Sequence, residues 1–188
     1  MSQTESDSRP ADASAKGLPL VLATRDEAIG ILTLNDPARR NVLSVAMLTQ
    51  LLECLKEAAG DLNLKCLVIA ANGPAFSAGH DLREIVASTP DELEHLFELC
   101  TRVMEAIRLA PQPVIAQVQG LATAAGCQLA ATCDLVVAAE KASFATPGVK
   151  IGLFCSTPAV ALSRAVPAKK ALEMLFTGVP ISAAEAER

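Results

Sequence analysis

The sequence predicts an α/β fold with parallel central strands. Three observations carry that expectation. Short, almost unbroken apolar runs at residues 64–71, 114–118 and 134–139 read as buried strands. Between them lie segments whose apolar residues recur at helical spacing. The order along the chain is hairpin, helix, strand, helix, strand, helix, strand and then helices, which is an α/β plan.

Each element has a local reason. Residues 19–24 and 28–34 are β-rich and flank Arg25-Asp26-Glu27, which predicts a hairpin. Asn35-Asp36-Pro37 breaks the second strand. Ser44 is placed to cap a helix carrying Met47, Leu48, Leu51, Leu52, Leu55 and Ala58, and Gly60 ends it. After the strand at 64–71, Asn72-Gly73-Pro74 turns the chain into a small-residue loop at 75–80 and a turn or two of helix at 81–86. A longer helix over 92–109 places Leu93, Leu96, Phe97, Cys100, Met104 and Ile107 on one face, and Pro111 and Pro113 stop it. The strand at 114–118 leads to a second small-residue loop at 120–125, a short helix at 126–132 and a third buried strand at 134–139. Residues 142–145 read as a short extended piece, 156–165 and 168–176 as helices, and Ser182 as the start of a last helix.

Composition excludes several classes of function. A net charge of -5, 3% aromatic residues and no Trp or Tyr give nucleic acid neither a basic surface nor a stacking platform. The six Cys form no C-x-x-C pair and most sit in apolar runs, so they read as buried free thiols in a reducing cytoplasm. His80 and His95 are the only His, so no zinc set is expected, and His95 reads as exposed. Residues 1–17 are polar and lack a signal-peptide core, so they read as a disordered tail. No apolar stretch is long enough to span a bilayer.

The chemistry is expected at the two small-residue loops. Each follows an apolar strand and precedes a helix: Phe76-Ser77-Ala78-Gly79-His80-Asp81-Leu82 and Gly120-Leu121-Ala122-Thr123-Ala124-Ala125-Gly126-Cys127. Tiny residues let a ligand approach the backbone, and helix starts offer unpaired N–H groups. Two such N–H groups converging would form an oxyanion hole. Neither loop matches a phosphate-binding motif.

These loops resemble the two signatures of the enoyl-CoA hydratase/isomerase (crotonase) superfamily. Asn35-Asp36-Pro37 with Asn41-Val42-Leu43 is similar to its coenzyme A loop, and the likeness runs from Leu20 to Ala186. The resemblance implies a crotonase-like α/β fold, a spiral of ββα units, over residues 18–188, with the C-terminal helical part truncated. It implies an acyl-CoA thioester as ligand, with coenzyme A part of the substrate, no separate cofactor and no metal. The family's trimers or pairs of trimers would follow if the C-terminal helices are present. By match, the backbone N–H groups of His80 and Ala125 hold the thioester oxygen as an enolate forms. Ala38, Ala78, Asp81 and Leu82 surround the adenosine part, Gly79 and Gly126 belong with them to the substrate-binding set, and Arg39 and Arg40 are candidates to meet the phosphates.

The family's two catalytic Glu do not carry over. Gln128 and Gly148 stand in their places, and neither exchanges a proton near neutral pH. Three readings therefore compete: a family lyase or isomerase of fatty acid metabolism, a decarboxylase of malonyl-type thioesters, and a non-catalytic acyl-CoA-binding protein. The decarboxylase branch shares Ala-Gly-His-Asp here but uses a Tyr that this chain lacks. The His80 ring is a further candidate beside its backbone. Cys155, Ser156 and Thr157 are expected to line the acyl pocket, with Cys155 packing rather than acting as a nucleophile. A serine hydrolase would need Ser77 and His80 in register with an acid, without a G-x-S-x-G elbow.

Overall fold

The computed structural model describes residues 19–188; the expected tail at 1–17 lies outside them. The hairpin forms as β1 (Val21–Asp26) and β2 (Ile29–Leu34), antiparallel, with Glu27 turning at φ 49°. Helix α1 (Val45–Gly60) follows, with the Ser44 hydroxyl accepting from Met47 N at 3.2 Å and the expected apolar face buried. β3 (Cys66–Ala71) pairs parallel with β2. β5 (Val114–Val118) pairs parallel with β3, and β7 (Leu135–Ala138) with β5. The main sheet thus runs β1-β2-β3-β5-β7.

The second sheet follows the ββα units that the resemblance implied, although the residue pattern gave only the extended piece at 142–145. β4 (Ala75–Ser77), β6 (Leu121–Thr123), β8 (Ser143–Ala145) and β9 (Ile181–Ser182) lie side by side in that order. The small-residue loops are therefore partly strands. Three residues are too few to show a period of two, so sequence patterning passes over them. Three consecutive units repeat one plan: the first strand enters the main sheet, the second enters the small sheet, and a helix closes the unit. Those helices are α2 (Leu82–Ala87) with α3 (Pro90–Arg108), then α4 (Ala125–Thr132), then α5 (Ser156–Ala165). Helices α6 (Ala168–Thr177) and α7 (Ala183–Ala186) follow.

The core lies between α1, α3 and the main sheet, where Leu51, Leu67, Ile69, Val103 and Val114 are fully buried. Two expectations need correction. β7 is not buried: Leu135, Val136 and Val137 are exposed on an edge strand that no described element covers. An apolar run reports that a strand is suited to cover, not that cover is present. On α3, Leu99 and Val103 join the buried face, while Phe97 is 40% exposed. Among the described residues, no helix is long and apolar enough to cross a membrane.

Candidate functional site

The two loops converge because both first strands lie in the main sheet and both second strands pair directly. β4 runs parallel to β6 through Ala75↔Leu121 and Ser77↔Ala122. Glycine then permits contact of backbone on backbone. A Cβ at Gly126 would lie 2.4 Å from Ser77 O. Gly79 has φ +82°, and a Cβ there would lie 3.0 Å from the Ala125 nitrogen and 2.9 Å from the Ala124 Cβ. The two expected hole residues, His80 and Ala125, are thereby brought to one place. Among the described residues, neither of their N–H groups has a hydrogen-bond acceptor.

Ala124, missed in the sequence, shapes this turn. It has φ 51° and ψ -123°, a conformation that costs a residue with a Cβ about 1–3 kcal/mol. It is held by its N–H on Ala145 O at 2.9 Å and by its carbonyl, which accepts from Gln128 N at 3.0 Å. The result aims the start of α4, and with it Ala125 N, at the Gly79-His80 corner. The available signal was two Ala in a loop that otherwise needed backbone freedom.

The residues expected to rim coenzyme A also come together. Ala78 N donates to Arg40 O at 2.9 Å, so Ala78, Asp81 and exposed Leu82 stand beside the turn at Pro37–Arg39 that carries exposed Ala38. Buried Asn41 fixes this turn: its Nδ2 donates to Asn72 O and Ala75 O, each at 2.9 Å, and its Oδ1 accepts from Asp36 N. Arg39 is already engaged, with Asp36 at 2.7 Å and Asp81 at 3.1 Å. It ties the two halves of the rim together. Arg40 makes no ion pair among the described residues.

The His80 ring turns away from the serine-hydrolase reading. Its Nδ1 meets Leu43 O at 3.1 Å. Ser77 is wholly buried, donating to Asn41 O at 2.8 Å and accepting from Gly79 N at 3.2 Å. That serine is a structural clip. Burial holds the His80 imidazole below its ordinary pKa of 6.5, against the Leu43 hydrogen bond and the Glu84 charge, which both raise it. Phe97 packs edge-on against the ring, centroids 5.4 Å apart at 83°.

The two positions expected for acids differ in surroundings. Gln128 is buried, its Oε1 has no partner among the described residues, and it lines a cavity of about 430 Å³ with Phe97, Cys100, Met104, Val160 and Arg164. Gly148 sits inside a turn. Its N–H donates to Cys155 Sγ at 3.3 Å, and a Cβ there would meet that sulfur and Leu153 O, each at 2.8 Å. Of the three residues expected at the acyl pocket, Thr157 lines the 430 Å³ cavity; Cys155 does not, and packs under Gly148 at the N-cap position of α5. All six Cys are free thiols, with Cys100, Cys127 and Cys133 buried, and burial pushes Cys127 up to about 12. His95 is exposed.

The chain is similar to known proteins in sequence and fold. The family model described as enoyl-CoA hydratase/isomerase matches residues 24–188. "Enoyl-CoA hydratase domain-containing protein 3, mitochondrial" of Rattus norvegicus is 54% identical over 182 residues, 96% of this chain and 60% of that protein. A crystal structure of an enoyl-CoA hydratase from Mycobacterium smegmatis aligns with TM-score 0.88 and 53% identity, covering 90% of this chain and 67% of that one. That of human enoyl coenzyme A hydratase domain-containing protein 3 aligns with TM-score 0.85 and 54% identity, covering 89% and 66%. The chain spans about 60% of the length of the curated relatives it matches. Five relatives at 49–54% identity carry "mitochondrial" in their names, which overturns the expected cytoplasmic location. Buried thiols report a non-oxidising surrounding and do not tell one reducing compartment from another. The fold is the crotonase-like one of these solved structures, and the chain belongs to the enoyl-CoA hydratase/isomerase family.

Proposed function

We propose that this chain binds an acyl-CoA thioester with the thioester oxygen between the N–H groups of His80 and Ala125, and stabilises the enolate that forms there. The observation that supports the reading is the approach of the two loops at Gly79, next to His80, against the Ala125 nitrogen, with both N–H groups lacking an acceptor among the described residues. Such a donor is worth about 3–4 kcal/mol of barrier when charge develops on the oxygen. In this reading Ala38, Ala78, Asp81 and Leu82 rim the adenosine. Arg39 holds that rim through its two carboxylates, and Arg40 is the freer cation for phosphate. Hydration of an enoyl-CoA is expected to be poor. It needs a proton donor and a base across the double bond, and Gln128 and Gly148 supply neither. The same reading carries assembly as a trimer or a pair of trimers where the family's C-terminal helices are present, which sedimentation would test.

The test is a turnover screen by mass spectrometry with enoyl-, 3-hydroxyacyl- and malonyl-type CoA esters, with protection against unfolding followed in parallel. Protection with little or no hydration is the expected result. Rapid hydration would mean that other groups do the work of the missing acids. A decarboxylated product would assign the site to malonyl-type esters, and absence of protection by every ester would overturn the proposal.

A further inference from the structure

The His80 ring is the one titratable group at the hole that the proposed function leaves idle, and it is firmly seated. Leu43, fully buried, donates its N–H to Gly79 O at 2.8 Å and presents its own carbonyl to His80 Nδ1 at 3.1 Å. One residue thus fixes both the loop backbone and the ring. A carbonyl oxygen only accepts, so Nδ1 carries the hydrogen, and in the neutral ring Nε2 keeps its lone pair. That nitrogen is buried and has no partner among the described residues. Burial favours the neutral form, with the Glu84 carboxylate opposing.

Access is through Phe97. It touches the His80 ring on one side and lines the Gln128 cavity on the other. Being 40% exposed, on an outward turn of α3, it has room to move. The ring also belongs to the residue whose N–H is assigned to the thioester oxygen.

We propose that the His80 imidazole is the proton-transfer group of this site, moving an α-proton of the bound acyl-CoA once Phe97 swings into the cavity. The inference rests on the acyl-CoA reading above. In the step, Nε2 takes a proton from Cα. The C–H electron pair forms a Cα–C double bond as the carbonyl pair moves onto the oxygen held by the two N–H groups. The imidazolium returns the proton to Cα, or to Cγ in a 3-enoyl thioester, where the double bond then moves from C3 to C2. No atom is added or removed, and no water or second acid is consumed. The chemistry therefore suits a site in which Gln128 and Gly148 replace two carboxylates.

The experiment separates ring from backbone. The purified chain is incubated with butanoyl-CoA in D₂O, deuterium gain is read by mass spectrometry, and protection against thermal unfolding reports binding. Wild type is expected to exchange. His80→Gln keeps the backbone N–H, so protection should persist while exchange falls about 100-fold or more. Phe97→Ala leaves every hydrogen bond of His80 in place and should raise exchange several-fold, which keeps the test open should the His80 variant fold poorly. Protection of the wild type without exchange, exchange by a folded His80→Gln at the wild-type rate, or no response to Phe97→Ala would each overturn the inference while leaving the acyl-CoA reading intact. Loss of protection by all acyl-CoA esters in the wild type would instead overturn that reading.

Discussion

The seats of the two missing acids have met opposite fates. At Gln128 the side chain keeps the length and place of a Glu, lines a cavity, and holds an amide oxygen with no partner among the described residues. At Gly148 the seat itself is filled: the turn that follows brings Leu153 O and Cys155 Sγ to 2.8 Å from where a Cβ would stand. The first change is one of protonation chemistry within an unchanged shape. The second is a change of backbone packing, and a backbone carbonyl cannot rotate aside as a side chain can. Loss of an acid by exchange is reversible in one step; loss by closure is not.

Four substitutions or conditions test that contrast. Gly148→Glu should cost the most, about 3 kcal/mol, because it overpacks a turn walled partly by backbone. Its melting temperature should fall sharply, with no hydration gained. A well-folded, hydrating Gly148→Glu would erase the distinction between the two seats. Gln128→Glu should fold, at a cost of about 1–2 kcal/mol near pH 8 that shrinks toward pH 5. The sign follows from burial, which raises the folded pKa of the new carboxyl above its unfolded value. The variant then loses stability as pH rises through the folded pKa, and denaturant titrations at the two pH values would read it.

Two smaller effects concern the corner where the two loops meet. Ala124→Gly should stabilise the chain by about 1 kcal/mol, because it relieves the positive φ at the start of α4. A destabilised variant would mean that the Ala methyl contributes packing that outweighs the strain. The smallest effect is expected from pH acting on His80. Its folded pKa lies below its ordinary value of 6.5, so the unfolded chain binds the extra proton first. Stability is full above that ordinary value and is lost as pH falls through it. Melting curves between pH 8 and 5 should show this loss, and His80→Asn should flatten it.

The reading of the helices from sequence succeeded where periodicity was long. Ser44 caps α1, and the six apolar residues expected on its inner face are its buried ones. The short strands β4 and β6 escaped because three residues carry no pattern, whereas β8 falls within the short extended piece expected at 142–145. β7 misled for the opposite reason, since Leu135, Val136 and Val137 are apolar yet exposed. At the site, the likeness of Phe76–Asp81 and Gly120–Cys127 to known loops named His80 and Ala125 in advance. It also named Gln128 and Gly148 as departures. It did not reveal Ala124 in a conformation favoured by glycine, nor Arg39 bound to Asp36 and Asp81.

The sequence by itself determined the α/β class, the helix boundaries, the family and the absence of both carboxylates, because these follow from residue identity and near-neighbour spacing. Tertiary structure alone decided that Gly79 abuts Ala125 N, that Arg39 is engaged, that the Gln128 seat is open and that the Gly148 seat is shut. Each of those depends on the distance between segments far apart in the chain. The parallel pairing of β4 with β6 and the turn at 148–155 set those distances, and composition does not encode them locally.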